Sequence, residues 1–384
     1  MKIGMSDDAS SPLAAELRKL IATEGPLSVA QFMSLCLGHP RYGYYVTRDP
    51  LGARGDFITA PEISQMFGEL LGLWALAVWR MMGAPDKVHL VELGPGRGTL
   101  MRDALRALRN APDFCRAIEL HLVEVSPVLE RKQRAALVAA EMPAHWHKDF
   151  SELPMGPTIL LANEFVDALP VHQAVRTADG WHERVVGLDA EGHFVFGLAG
   201  EAIPGFERLL PETLRDAPPG SIHEWRNESF AVTLGERMRE RGAALIVDYG
   251  HCASAVGDTL QALSRHRFTD VLAAPGEADL TAHVDFAAFG KAAARNQASV
   301  QGPLTQGEFL QRLGIGLRAQ ALKAKASARQ AADIDAALSR LTQKGSQKGS
   351  NGMGNQFMGE LFKVMAIADP RLGALPGFEG AMSC

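Results

Sequence analysis

Short apolar runs punctuate this chain, and between them apolar residues recur every three or four positions. The runs Val88–Leu93, 118–125, 158–162 and 243–247 suit strands buried on both faces. Residues 145–150 read as a short third strand or turn in the same series. After the first run, Leu100, Ala104, Leu105 and Leu108 share one side of a helix. After the second, Pro127 opens a helix to about Ala140. Upstream, residues 12–23 and 28–37 read as two short helices, the second with Ser28 and Gln31 as a capping box. One long helix is predicted from about Pro61 to Met82, with Ile63, Met66, Phe67, Leu70, Trp74, Ala77, Val78 and Met81 inward. Thr59 and Glu62 have capping-box spacing at its start. Strands alternating with helices make this an α/β chain.

The pattern breaks after the fourth run. Residues 173–198 are short alternating stretches split by Asp-Gly and Glu-Gly turns, which predicts a β-meander. A Pro-rich loop (204–219) and a helix (230–241) follow. An insertion over 173–241 therefore separates the fourth and fifth strands, and such insertions build substrate-facing subdomains. Residues 251–275 read as irregular. A helix opens within 279–286, with Asp285 as its cap, and runs to Arg295. Residues 298–301 predict a strand, 307–313 a short helix, 319–341 one Ala-rich helix, and 361–367 a last strand. The Gly, Ser and Lys content of 344–359 predicts a mobile loop.

Composition narrows the classes. With 384 residues and 47% hydrophobic content, a large core can be buried. A net charge of −5 argues against a general nucleic-acid binder. The four cysteines, Cys36, Cys115, Cys252 and Cys384, lie far apart without a C-x-x-C pair. They suit a reducing compartment and give no zinc signature, so no metal is expected. The first ten residues resemble neither a signal peptide nor an Arg-rich transit peptide, and no run of 18 apolar residues predicts a membrane span.

The candidate chemistry begins at Glu92. Behind it Gly94, Gly96 and Gly98 form a G-x-G-x-G turn between strand and helix. Dinucleotide sites use G-x-G-x-x-G, whose amides receive a pyrophosphate. A carboxylate at the strand end instead suits a ligand with a cationic head and no diphosphate. Glu124, at the end of the second strand, has the position of an acid that accepts ribose hydroxyls; a charge at a helix start is the structural alternative. Asp149, with Phe150, is placed for an adenine ring or is an ordinary loop acid. Asn163 and Glu164 follow the fourth strand, at the edge where open α/β sheets bind ligands. Glu164 also suits a helix-start charge, and Asp167 a turn before Pro170.

Several longer stretches occur in a fixed order: Gly55 to Gln65, Glu92 to Thr99, Glu124 to Pro127, Asn163 to Phe165, Asp167 to Pro170, Asp248 to Gly250, Asp279 to Phe286, and Met358-Gly359. The Glu-x-Gly-x-Gly-x-Gly motif resembles the first motif of seven-strand methyltransferases. The whole set, from about Leu13 to Ile367, resembles the MidA-like methyltransferase family, whose eukaryotic members are mitochondrial assembly factors for respiratory complex I. Val166, where the family often has Phe, alters the expected substrate wall.

The resemblance implies a seven-strand Rossmann-like methyltransferase sheet with an N-terminal helical segment and an inserted β-rich and helical subdomain. Its expected divisions are a helical segment with a cofactor flap (1–86), the first part of the core (87–172), the insertion (173–241) and the rest of the core (242–384). It implies S-adenosylmethionine as cofactor and symmetric dimethylation of an arginine on the 49 kDa-type subunit of complex I. A homodimer fits, and so does a cytoplasmic location in a bacterial cell. Glu92, Gly94, Gly96 and Gly98 are assigned to the methionine end, Glu124 to the ribose, Asp149 and Phe150 to adenine, and Gly55 and Asp56 to a flap. Arginine chemistry needs acids that hold the guanidinium and take up a proton. Glu164 is the first choice, with Asn163 and Asp167 beside it and Asp56, Glu62 and Asp285 in reserve. An assembly chaperone without catalysis and a small-molecule methyltransferase are the alternatives.

Overall fold

The run Val88–Leu93 forms strand β1, buried along its whole length. In the computed structural model, which describes residues 11–48, 59–140, 142–264, 266–343, 345–347, 355–356 and 358–380, six further strands join it. They are β2 (Ile118–Val123), β3 (Ala144–His147), β4 (Thr158–Asn163), β5 (Gly242–His251), β6 (Ser299–Thr305) and β7 (Phe362–Ala368). Their order is β3-β2-β1-β4-β5-β7-β6. Pairings from β3 through to β5 are parallel. β7 runs antiparallel to both of its neighbours. Val284–Asp285 adds a short parallel eighth strand at the end of β5. The order reverses between β1 and β4, and ligands of open α/β sheets bind at such a switch point, outside the carboxyl ends of the strands.

Two compact units divide the described residues. One holds this sheet and spans 59–167, Asn227–Ser254 and 283–380; the other holds 11–48, Ala168–Arg226 and Ala255–Ala282. In the second unit a five-stranded antiparallel sheet is built from Leu27–Ser28, Val171–Arg176, Trp181–Leu188, Phe194–Ala202 and Ile222–Arg226. Its own small core gathers Ala174, Trp181, Phe206, Leu210 and Leu214. The meander is therefore present, with an added strand at 222–226. Helices Pro12–Glu24 and Val29–Gly38 also form as predicted, the latter with its Ser28–Gln31 capping box.

In the sheet unit, helices α1 (Gln65–Met81) and α2 (Thr99–Leu108) pack closely together. Gly68 and Gly72 permit it: a Cβ at Gly68 would stand 2.8 Å from the Leu100 carbonyl, and one at Gly72 2.8 Å from Ala104 Cα. Phe67, Leu71, Trp74 and Val78 of α1 fill the core beside this contact. Glu69, also buried, accepts hydrogen bonds from Arg106 (3.0 Å) and from Arg318 (2.7 and 2.9 Å), tying α1 to α2 and to a helix at Ile315–Lys323. On strands β1 to β3, His89, His145 and His147 gather round His121. Burial and those three imidazoles push His121 down to about 4, so its ring is neutral near pH 7.

Three expectations need correction. The long helix from about Pro61 to Met82 is broken: Ala60–Ile63 is a separate short helix, and Ser64 is extended (φ −159°). The Ser64 hydroxyl accepts the Met66 N–H and so starts α1, a local bond that competes with helix continuation. The Ala-rich stretch is two helices, Ile315–Lys323 and Ala328–Thr342, because Ser327 and Gln330 form a capping box between them. Residues 251–275 are not wholly irregular. Gln261–Ser264 and Arg267–Thr269 form a small sheet with Asp279–Thr281, so that helix begins only at Phe286. Asp285 does cap it, accepting the Ala288 N–H at 2.9 Å. Residues 355–356 pair with 346–347 inside the stretch expected as a loop. Among the described residues, no helix is long and apolar enough to cross a membrane.

The helix contact sets up a test. Alanine in place of a helical glycine normally gains about 1 kcal/mol. At Gly72 the Cβ would overlap backbone atoms of α2, and such overpacking costs roughly 1–3 kcal/mol. We expect Gly72→Ala to lower the urea midpoint, whereas Leu73→Ala, at a 44% exposed position, leaves it nearly unchanged. Equal or higher stability in Gly72→Ala would mean that the helices do not pack this closely.

Candidate active site

β1 delivers Glu92 to the switch point and then turns sharply. Gly94, Gly96 and Gly98 all have left-handed backbones, with φ of 59°, 54° and 78°. Only glycine takes this conformation without steric cost. The turn brings bare backbone to the sheet edge, and Gly98 leads into α2. Glu92 is buried, and its Oε2 has no hydrogen-bond partner among the described residues. Burial and the neighbouring Glu124 push its carboxyl up to about 8.

Glu124 follows β2 and is also buried. It accepts the Ser126 N–H at 2.7 Å and the Gln133 amide at 2.9 Å. Burial pushes it up to about 6, against the pull of those two donors and of Lys148. Gln133 lies on the helix Pro127–Leu137 and is fully buried. Its Nε2 donates to Gly96 O (2.8 Å) as well as to Glu124, and its Oε1 accepts the Trp146 indole N–H (2.8 Å). One amide thus ties the glycine turn to the second acid. Sequence reasoning passed over Gln133. Its only signal was a polar residue on the inward face of an amphipathic helix.

Asp149 follows β3 and is exposed. Its Oδ1 accepts both the N–H and the hydroxyl of Ser151, capping the short turn Phe150–Glu152, and those bonds hold it below the usual carboxylate range. Phe150 meets Phe230 edge-on at 5.6 Å, and Phe230 meets Phe165 at 5.7 Å. Phe165 in turn lies against the glycine turn: a Cβ on Gly94 would come within 3.0 Å of its ring. The three rings form a wall along the ends of β3, β1 and β4.

β4 ends in Asn163, and Glu164 follows with a left-handed backbone, φ 52°. No helix begins there, so Glu164 is not a helix-start charge. Its Oε1 accepts the Ala60 N–H (3.2 Å) and the Asn163 amide (3.0 Å), while Asn163 Oδ1 is buried without a partner among the described residues. Arg340, half-buried on the helix Ala328–Thr342, is near enough to feel the Glu164 charge. Asp167 lies buried in the turn after it. The conformation of this turn is set from β5. The fully buried carboxylate of Asp248 accepts on Oδ2 the N–H groups of Phe165, Val166 and Asp167, at 3.2, 2.9 and 3.1 Å. Asp248 stands in a stretch that the sequence singles out, but its role depends on strands far apart in the chain.

The remaining candidates divide. Glu62 does not complete a capping box, because Thr59 makes no side-chain cap. Its carboxylate instead accepts the Thr99 hydroxyl at the start of α2. Asp285 is occupied as a helix cap beside His251 (3.8 Å). Gly55 and Asp56 lie outside the described residues. The residues that do meet — Glu92, the three glycines, Glu124, Asp149, Phe150, Asn163, Glu164 and Asp167 — line the carboxyl ends of β1 to β4. Two buried acids, one with an unpartnered oxygen, and a turn of bare backbone suit a ligand that is cationic and rich in hydroxyls. The same acids would repel a diphosphate.

Comparison with known proteins agrees with this chemistry. Residues 70–304 match the family described as "Putative S-adenosyl-L-methionine-dependent methyltransferase". The mitochondrial protein arginine methyltransferase NDUFAF7 of Danio rerio is 41% identical over 329 residues, covering 79% of this chain and 76% of its own. The human protein of that name is 38% identical over 354 residues, covering 84% and 78%. A crystallised superfamily member from Burkholderia thailandensis, bound to S-adenosyl-homocysteine, aligns with a TM-score of 0.82 at 29% identity. That alignment covers 98% of this chain and 97% of the other. On a sheet of this order, with acids at the ends of β1 and β2, the chain belongs to the MidA-like family of S-adenosylmethionine-dependent methyltransferases.

Proposed function

We propose that this enzyme methylates an arginine side chain of a protein, forming symmetric dimethylarginine on the 49 kDa-type subunit of respiratory complex I in support of its assembly. Relatives named protein arginine methyltransferases support the acceptor class. The resemblance to complex I assembly factors supports the partner. The observation that carries the reading is Glu164: an acid at the switch point, held in a costly backbone conformation, with its carboxylate braced by Ala60 and Asn163.

When bound, S-adenosylmethionine supplies a methyl group activated by its sulfonium. In this reading Glu92 receives the ammonium of the methionine end, and Gly94, Gly96 and Gly98 let the backbone approach it. Glu124 retains acceptor capacity for ribose hydroxyls, since each carboxylate oxygen can take two hydrogen bonds. Asp149 Oδ2 and the Phe150 ring would hold the adenine. On the acceptor side a guanidinium is a weak nucleophile while its charge is delocalised. Glu164 holds it through paired hydrogen bonds, draws charge away from the attacking nitrogen and takes up the proton released. Asn163 and Asp248 are positioning residues: the first orients the carboxylate, and the second holds the turn. Most of the rate gain is alignment of nucleophile and methyl carbon.

Mass spectrometry of complex I subunits, from cells with and without this gene, tests the substrate. We expect one arginine of the 49 kDa-type subunit to lose two methyl groups in the deletion; an unchanged subunit would remove that partner. For the site, Glu164→Gly relieves a left-handed residue worth about 1 kcal/mol or more while losing the bond to Ala60. We expect its stability to stay within about 1 kcal/mol of the parent while kcat falls 100-fold or more. Parallel loss of fold and activity would make Glu164 structural. For Glu92, a bound cation favours the ionised form, so below about pH 8 binding expels a proton and affinity rises with pH. Calorimetry from pH 6.5 to 7.5 should show tighter cofactor binding, by up to about tenfold. Glu92→Gln should bind more weakly and with little slope. An equal slope in both proteins would take Glu92 out of the cofactor contact.

A further inference from the structure

Away from the switch point, the sheet carries a second group of polar side chains. His89 on β1 lies in register opposite Glu119 on β2, and His121 stands two residues further along β2, on the same face. His89 Nδ1 is 3.2 Å from His121 Nε2 and 3.4 Å from Glu119 Oε2, and one donor atom from each of the three residues lies within 4.8 Å of the others. Donors bound to one zinc ion at 2.0–2.2 Å in tetrahedral geometry stand about 3.3–3.5 Å apart. The other atoms of these side chains are already engaged in orienting them. His89 Nε2 faces the Met155 carbonyl (3.4 Å), His121 Nδ1 faces His147 Nε2 (2.9 Å), and Lys87 holds Glu119 Oε1 (3.0 Å).

With the rings neutral, one hydrogen-bond arrangement leaves a conflict. A relay from His147 to His121, from His121 to His89 and from His89 to Met155 O satisfies the ring nitrogens in turn. In that relay, however, the His89 Nδ1 lone pair still faces the Glu119 carboxylate, acceptor against acceptor. A proton on His89 Nδ1 or a metal cation between the two groups removes the conflict, and to take the metal the rings need only exchange tautomers.

We propose that His89, Glu119 and His121 form a binding site for a divalent ion of the zinc class, with His147, the Met155 carbonyl and Lys87 as its outer supports. His89 and His121 are buried while Glu119 is partly exposed, so the ion enters on the Glu119 side. Bridging β1 and β2 makes it a structural ion, whose binding adds to folding free energy. Imidazole and carboxylate together suit zinc.

The test uses the full chain, stripped with a chelator and titrated with zinc chloride against a chromophoric competitor. We expect one tight equivalent and a higher melting midpoint when it binds. Glu119→Gln, at a partly exposed position, should weaken binding tenfold or more, and His121→Gln should do the same. The double variant Asp189→Asn/His193→Gln, at an exposed cluster in the other unit, should keep the equivalent. Zinc binding no tighter in the parent than in Glu119→Gln, or lost from the Asp189→Asn/His193→Gln protein, would overturn the site. Should His121→Gln fail to fold, Glu119→Gln decides alone.

Discussion

A carboxylate buried without water must find donors in the protein, and Asp248 finds them in three successive backbone N–H groups. That bond set joins the end of β5 to the turn after β4. With the N–H groups of 165–167 converging on one oxygen, the preceding peptide has little choice of direction, and Glu164 takes a left-handed backbone. Phe165, fixed by the same bonds, lies against Gly94, and so the turn after β4 and the glycine turn after β1 share a wall. The geometry of the turn after β4 comes from a charge in a neighbouring strand.

The glycine-turn side shows a related balance. Glu92 and Glu124 are both buried, and burial raises both. Glu124 is compensated by Ser126 and Gln133, so it stays the stronger acid. Glu92 has an oxygen with no donor and is largely neutral at pH 7 until a cation arrives. The protein thus keeps one charge at rest and a second in reserve. Gln133 sets that difference, since its single amide also holds Gly96. The orientation of this amide is fixed in turn by Trp146, whose N–H can only donate.

Much of this was legible in the chain. Buried parallel strands announce themselves as apolar runs, and the G-x-G-x-G turn after Glu92 marked the switch point. What remained hidden depends on partners distant in sequence. Ser64 breaks a helix that its apolar periodicity supports, because a single hydroxyl bond to Met66 outweighs the pattern. Glu62 reads as a cap by spacing, yet its partner, Thr99, lies in another helix. Strands at 261–264 and 267–269 are too short to show a period and exist through pairing with 279–281. Asp248 and Gln133 looked like one acid after a strand and one amide on a helix. Nothing local to either residue reveals what it holds.

The backbone at Glu164 also bears on how this fold drifts. A side chain there is tolerated against its own conformational preference, and glycine or asparagine would sit at the position more easily. On the role proposed for Glu164, selection for methyl transfer retains the acid against that pull. Without that selection, the bonds of its carboxylate to Ala60 and Asn163 are set against the strain of its backbone. On the proposed role of Glu164, loss of the acid at position 164 would accompany loss of methyl transfer while the fold persists.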